Sequence, residues 1–112
     1  MFSERTQLRL RDMLDNIDAI DSYAGEMSLA KLQEDQRTID AIERCLQRVT
    51  EAVIQIGEAE MQQILPDVPF AMIRGMGNKL RHEYHRIDAQ QIFTTVHDEL
   101  PSLRDAVLKV LK

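Results

Sequence analysis

Apolar residues recur along the chain at alternating steps of three and four. One stretch runs Leu10, Met13, Ile17, Ile20, Ala24, Met27, and a second Ile39, Ile42, Leu46, Val49, Val53, Ile56. A third runs Phe70, Ile73, Gly77, Leu80, Tyr84, Ile87, and a fourth Phe93, Val96, Leu100, Leu103, Val107, Val110. Such steps stay close to the 3.6 residues of a helical turn and keep one face of an α-helix turned toward a core. The alternation of three and four is the seam of helices packed nearly parallel or antiparallel. Four such seams predict an all-α chain folded as an up-and-down four-helix bundle.

The residues between the seams mark where helices start and stop. Gly25 and Ser28 separate the first helix from a short turn. Asp35 is a candidate cap for a long second helix expected to reach about Leu65. Pro66, Asp67 and Pro69 form the next connection, with Pro69 suited to a first-turn position. Asp88 followed by Gln91 has the form of a capping box for the last helix. Pro101 lies within the fourth seam, which continues through it, so a kink or local restart is expected there.

Composition agrees with one folded unit. The chain has 112 residues, 44% hydrophobic and 29% charged, which fits a single domain spanning residues 1–112. No apolar run approaches the ~18 residues of a membrane span. The opening MFSERTQLRLRD carries charges where a secretory signal needs an apolar block. The single cysteine, Cys45, excludes an internal disulfide and suits a reducing cytoplasm, where it is expected to be buried packing. Leu14, Cys45, Ala52, Ile54, Met72 and Met76 lie off the seams. They either broaden the core-facing stripe or form a face for a homodimer.

Charge is unevenly placed. Between residues 74 and 86, Arg74, Lys79, Arg81 and Arg86 face the single acid Glu83. That is a net of +3, leaving −8 on the rest of a chain whose total is −5. A short basic segment in an acidic body can focus an anion locally; the plainer alternative is a solvated helix face. Residues four apart share a side of a helix, which aligns Arg74, Asn78, His82 and Arg86, with His85 beside them. Imidazole can move a proton near neutral pH, and guanidinium can hold a phosphate at two points while charge develops. His82 and His85 are not joined by a second His or Cys cluster, so no metal is expected. Gly75 and Gly77 lack the preceding strand of a phosphate-binding loop, so no cofactor is expected either.

The run GMGNKLRHEYHRID, the upstream DAIERCLQRVTEAVIQIGEAE and the entry PDVPFAMIRGM resemble HepT-type HEPN proteins. These are the toxins of HEPN/nucleotidyltransferase toxin–antitoxin pairs. The resemblance covers nearly the whole chain. It implies a dimeric all-α bundle, metal-independent RNA cleavage in a cleft between the two copies, and a cognate nucleotidyltransferase antitoxin as partner. The family hallmark is an Arg followed by a polar residue, then a His, often with a Tyr two positions beyond. Position by position, Asn78 matches the polar residue, His82 the His and Tyr84 the Tyr, whereas the Arg position falls on Gly77. Either Arg74 or Arg81 replaces the missing cation, or catalysis is weakened or lost. Arg74 shares a side with His82 but lies about 12 Å away along the axis; Arg81 points about 100° away on a long side chain. Gly77 on the seam also suits close helix approach.

The resemblance thus implies a catalytic set of His82, Asn78 and Arg74 or Arg81, with Lys79, His85 and Arg86 binding RNA phosphates. Tyr84 either packs on the seam or accepts an adenylyl group from the partner enzyme. The alternative function is a non-catalytic module that docks the nucleotidyltransferase or a nucleotide.

Overall fold

The computed structural model describes residues 2–82 and 88–111, without the side chain of His82. The described residues are helical and irregular, with no strand among them. The order is α1 (Glu4–Ala24), α2 (Leu29–Gln33), α3 (Gln36–Ile56), α4 (Glu58–Ile64), α5 (Phe70–His82), α6 (Ala89–Thr94), a π turn (Thr95–Glu99) and α7 (Leu100–Leu111). The all-α expectation holds among the described residues, and the periodic stretches fall on helix where they are described, except that Met27 lies in the connection after α1.

The central pair is α1 against α3. Leu10, Met13, Ile17, Ile20 and Ala24 of α1 are buried against Ile39, Ile42, Leu46, Val49, Val53 and Ile56 of α3. The start of α1 lies by the end of α3, so the two run antiparallel. Arg9 donates to Gln55 at 2.8 Å, and the Thr6 hydroxyl donates to the Glu60 carboxylate at 2.9 Å. Cys45 and Ala52 are buried and simply broaden the α3 stripe, whereas Met72 stays 64% exposed.

The caps sit where side-chain chemistry puts them. Ser3, Ser28, Asp35 and Asp88 each accept a hydrogen bond from the backbone N–H three residues on, at 3.1, 3.2, 3.1 and 2.9 Å. Asp35 also accepts from the Thr38 hydroxyl at 2.7 Å. That bond, then the Thr38 N–H, holds its carboxyl below the ordinary 3.8. A depressed folded-state value means the cap stabilises the fold above pH 3.8 and loses that contribution as pH falls below it. Asp35→Ala is expected to lower the melting temperature at neutral pH. Asp35→Asn should recover much of the loss while removing the acid-side pH dependence, which thermal melts across pH 2–7 would read.

Three details depart from the sequence reading. The second helix does not run unbroken to Leu65: it stops at Gly57, whose φ of +92° is open to glycine and strained for other residues. The Gly57 carbonyl then accepts from Met61, starting α4 in a new direction that buries Met61. Pro69 lies just before the first helical residue rather than inside the first turn, its carbonyl accepting from Ile73. The expected irregularity at Pro101 takes the form of a π turn directly upstream. Leu100 N–H donates to the Thr95 carbonyl, five residues back. The wider turn gives the proline ring the room that an ordinary turn would deny it against the His97 carbonyl.

Candidate functional site

The side chains singled out in the sequence lie on α5 and just beyond it. α5 packs chiefly on α3, with Phe70 and Gly77 buried and Ile73, Met76 and Leu80 half-buried. Gly77 sets how closely the helices approach. A Cβ built there would stand 2.9 Å from the Thr50 hydroxyl oxygen and 3.0 Å from Thr50 Cβ, with Ile54 Cδ1 at 3.5 Å. Thr50 cannot easily turn aside, because it is buried and its hydroxyl donates to the Gln47 carbonyl at 2.9 Å. Position 77 is thus a closed helix contact.

The polar edge of α5 is solvent-exposed at Arg74, Asn78, Lys79 and Arg81. The structure brings Asn78 and Arg81 together. The Arg81 guanidinium donates through one terminal nitrogen to the Asn78 side-chain carbonyl, and through the other to Glu51 of α3 at 3.2 Å. A half-exposed ion pair of this kind contributes at most about 1 kcal/mol. Its consequence is orientation: a flexible cation is held at a fixed place across α3 and α5, next to position 82 in the chain. Arg74 goes the other way. Its guanidinium carbon lies 5.7 Å from the centre of the Phe70 ring, one turn back toward the start of α5. Of the two arginines weighed as the displaced cation, Arg81 is therefore the one linked to Asn78.

His82 is the last residue of α5. Its side chain, and Tyr84, His85 and Arg86 altogether, lie outside the described residues. Cys45 is buried, and desolvation pushes its thiol up from the ordinary 9.0, against nearby Arg48 and Arg44, which favour the thiolate. Such a thiol is a poor nucleophile. Iodoacetamide is expected to label it slowly in the folded chain and readily in denaturant, as mass spectrometry would show. Among the described residues no three His, Cys, Asp or Glu side chains are grouped to hold a metal. No described helix is long and apolar enough to cross a membrane.

Glu51 and Thr50 escaped the sequence reading. Arg81 and Glu51 are 30 residues apart, and only the packing of α5 on α3 makes them neighbours. No local spacing encodes that contact.

The described residues are thus all-helical, and an exposed edge of α5 joins the Asn78 amide and the Arg81 guanidinium just ahead of position 82. Residues 13–110 match the family model described as "Ribonuclease HepT-like", and the chain belongs to that family. The protein named "Probable ribonuclease HepT" from Thermococcus cleftensis is 27% identical over 103 residues, covering 92% of this chain and 93% of its own length. The protein named "Putative RNase MJ1216" from Methanocaldococcus jannaschii is 28% identical over 103 residues, covering 92% of this chain and 84% of its own length. No solved structure matches the chain.

Proposed function

We propose that this protein is a metal-independent endoribonuclease, the toxin of a HEPN/nucleotidyltransferase toxin–antitoxin pair, acting in the cytoplasm as a homodimer of four-helix bundles. The observation that carries this reading is the link between Asn78 and Arg81, braced by Glu51, immediately before His82. It offers an answer to the arginine missing at Gly77: the cation comes from Arg81.

In the proposed reaction the His82 imidazole takes the proton of a ribose 2′-hydroxyl. The resulting oxygen attacks the adjacent phosphorus, and the 5′-oxygen of the next nucleotide leaves, taking up a proton. The products are a 2′,3′-cyclic phosphate and a 5′-hydroxyl. Arg81 stabilises the charge that develops on the non-bridging oxygens, and Asn78 fixes Arg81 and the phosphate. Lys79, His85 and Arg86 hold neighbouring phosphates. The apolar groove of about 190 Å³ between α3, α5 and α7, lined by Ile73, Met76, Leu103 and Ala106 among others, supports pairing with a second copy along α5.

The test is purified protein, free of its partner, incubated with structured RNA in excess chelator. Cleavage leaving cyclic phosphate ends, absent in His82→Ala, supports the enzyme. No cleavage with intact nucleotidyltransferase binding supports the docking-module reading, which the glycine at the family's arginine position favours. Tyr84 is proposed as the site at which the partner silences the toxin: an adenylyl group there would set a phosphate beside His82 and repel an incoming RNA strand. Co-expression with a cognate nucleotidyltransferase should add the mass of one adenylyl group to the peptide carrying Tyr84, and an unmodified peptide would overturn that assignment.

A further inference from the structure

The outer side of α3 carries a line of arginines that the reaction does not use. Arg37, Asp40, Arg44, Arg48, Glu51 and Gln55 follow one another at steps of three, four, four, three and four, which keeps them on a single ridge. At 1.5 Å per residue the ridge is about 27 Å long. All three of these arginines are exposed. The two flanking helices each extend a further guanidinium onto the ridge: Arg81 from α5 to Glu51 at 3.2 Å, and Arg9 from α1 to Gln55 at 2.8 Å.

Acids stand along the same stretch: Glu51 pairs with Arg81, Asp12 lies 3.8 Å from Arg9, Asp40 accepts from the neutral Gln36 amide at 2.8 Å, and Glu43 adjoins Arg44. Arg44 donates to Gln47 at 3.1 Å, whereas Arg37 and Arg48 pair with no carboxylate among the described residues. With Arg9 and Arg81 the ridge gathers five guanidinium groups against Asp12, Asp40, Glu43 and Glu51, a net of +1 in a chain of net charge −5. Guanidinium forks match phosphate oxygens. α3 has no aromatic residue on which a base could stack, so contact there would be with the backbone and indifferent to sequence. The row also has a direction, because it leads to Arg81, one residue before His82. A stacked strand at ~3.4 Å per nucleotide would lay about eight nucleotides along it. An acidic peptide would satisfy the charge but would have no reason to end at the proposed site.

We propose that the outer ridge of α3 is a track for the sugar–phosphate backbone of RNA, with Arg37, Arg44 and Arg48 holding phosphates and passing the strand to Arg81 beside His82. The inference rests on the ribonuclease reading. It extends the RNA contact beyond the basic segment at 74–86, to a helix whose arginines are scattered in sequence.

The experiment uses the full chain carrying His82→Ala, so that RNA stays intact, and a fluorescein-labelled single-stranded RNA of about twelve nucleotides, enough to cover the ridge. Anisotropy titrations over a range of salt concentrations compare it with the same chain carrying Arg44→Ala and Arg48→Ala as well. Losing two phosphate contacts should lower the slope of log affinity against log salt by about 1.4, equally for two unrelated RNA sequences. Far-UV circular dichroism and melting should be unchanged, since exposed alanine suits a helix. If the double variant melts early, charge-neutral Arg48→Gln alone should still lower the slope by about 0.7. An unchanged slope, an absence of RNA binding at low salt, or arginine-dependent binding of a polyglutamate peptide in preference to RNA would each overturn the track. The two readings fail separately. Unaltered KM for RNA cleavage in the double variant with His82 restored removes the track and leaves the nuclease. A reduced slope in a chain that never cleaves RNA removes the nuclease and leaves the track.

Discussion

A Gly77→Arg protein should be less stable than the natural chain and no more active, even though the substitution restores the residue of the family pattern. The added Cβ would meet Thr50 at 2.9–3.0 Å, where the hydroxyl is committed to Gln47 and Ile54 closes the other side. Either α5 rolls away from α3 or the side chains strain, and overpacking of this sort costs about 1–3 kcal/mol. A roll would also separate Arg81 from Glu51. Gly77→Ala should already show part of the effect. Gly75 is the control: a Cβ there meets nothing within 4 Å, so Gly75→Ala should stabilise by about 0.5–1 kcal/mol through helix propensity alone. Urea denaturation of the three variants reads all of this. A Gly77→Arg chain as stable as the natural one, with raised cleavage, would show that α5 need not sit where Gly77 places it.

The second large effect concerns the chemistry. His82→Ala should reduce RNA cleavage by about 10²–10⁴-fold, the usual contribution of a positioned acid–base group. Arg81→Ala should cost about 10²–10³-fold, as expected for a group stabilising transition-state charge, and should act mainly on kcat. Arg74→Ala should cost less than either, because its guanidinium rests on Phe70 a turn away. Glu51→Ala, which frees Arg81 without removing it, should fall between Arg81→Ala and the natural chain. Initial rates on a defined RNA in chelator rank the four. If Arg74→Ala proved the more damaging arginine variant, the assignment of the cation to Arg81 would be wrong.

How much of this could be read from the sequence follows the range of the interactions involved. Helix faces and caps are local: Ile39 through Ile56 or Asp35 and Asp88 declare themselves within one turn, and the structure places them accordingly. The alternative of close helix approach at Gly77 was legible too, since a glycine on an apolar seam invites a neighbour. The break at Gly57 was not. A glycine in a helical run usually stays helical, and here the preference is overridden by the burial of Met61 and the bond from Thr6 to Glu60. The fourth seam was drawn through Phe93, which is partly buried against the core and sets its ring 4.3 Å from His97, whereas its neighbour Ile92, not on the seam, is fully buried. At the site, the residue types on α5 were legible, but the pairing of Arg81 with Glu51 was not, because helix geometry alone favoured Arg74. Side-chain reach between helices decides such matters, and periodicity carries no information about it.

The π turn at Thr95–Glu99 has a consequence for how this helix tolerates changes of length. A π turn takes up one residue more than an ordinary turn while leaving the flanking helix in phase. Deleting one residue there should therefore leave Leu100 and Val107 facing inward, with the pitch simply regularised. The difficulty would fall on Pro101, whose ring would again crowd the carbonyl four positions back. Widened turn and proline are thus held as a pair: a shortened chain is expected to fold well only when Pro101 is exchanged for alanine as well.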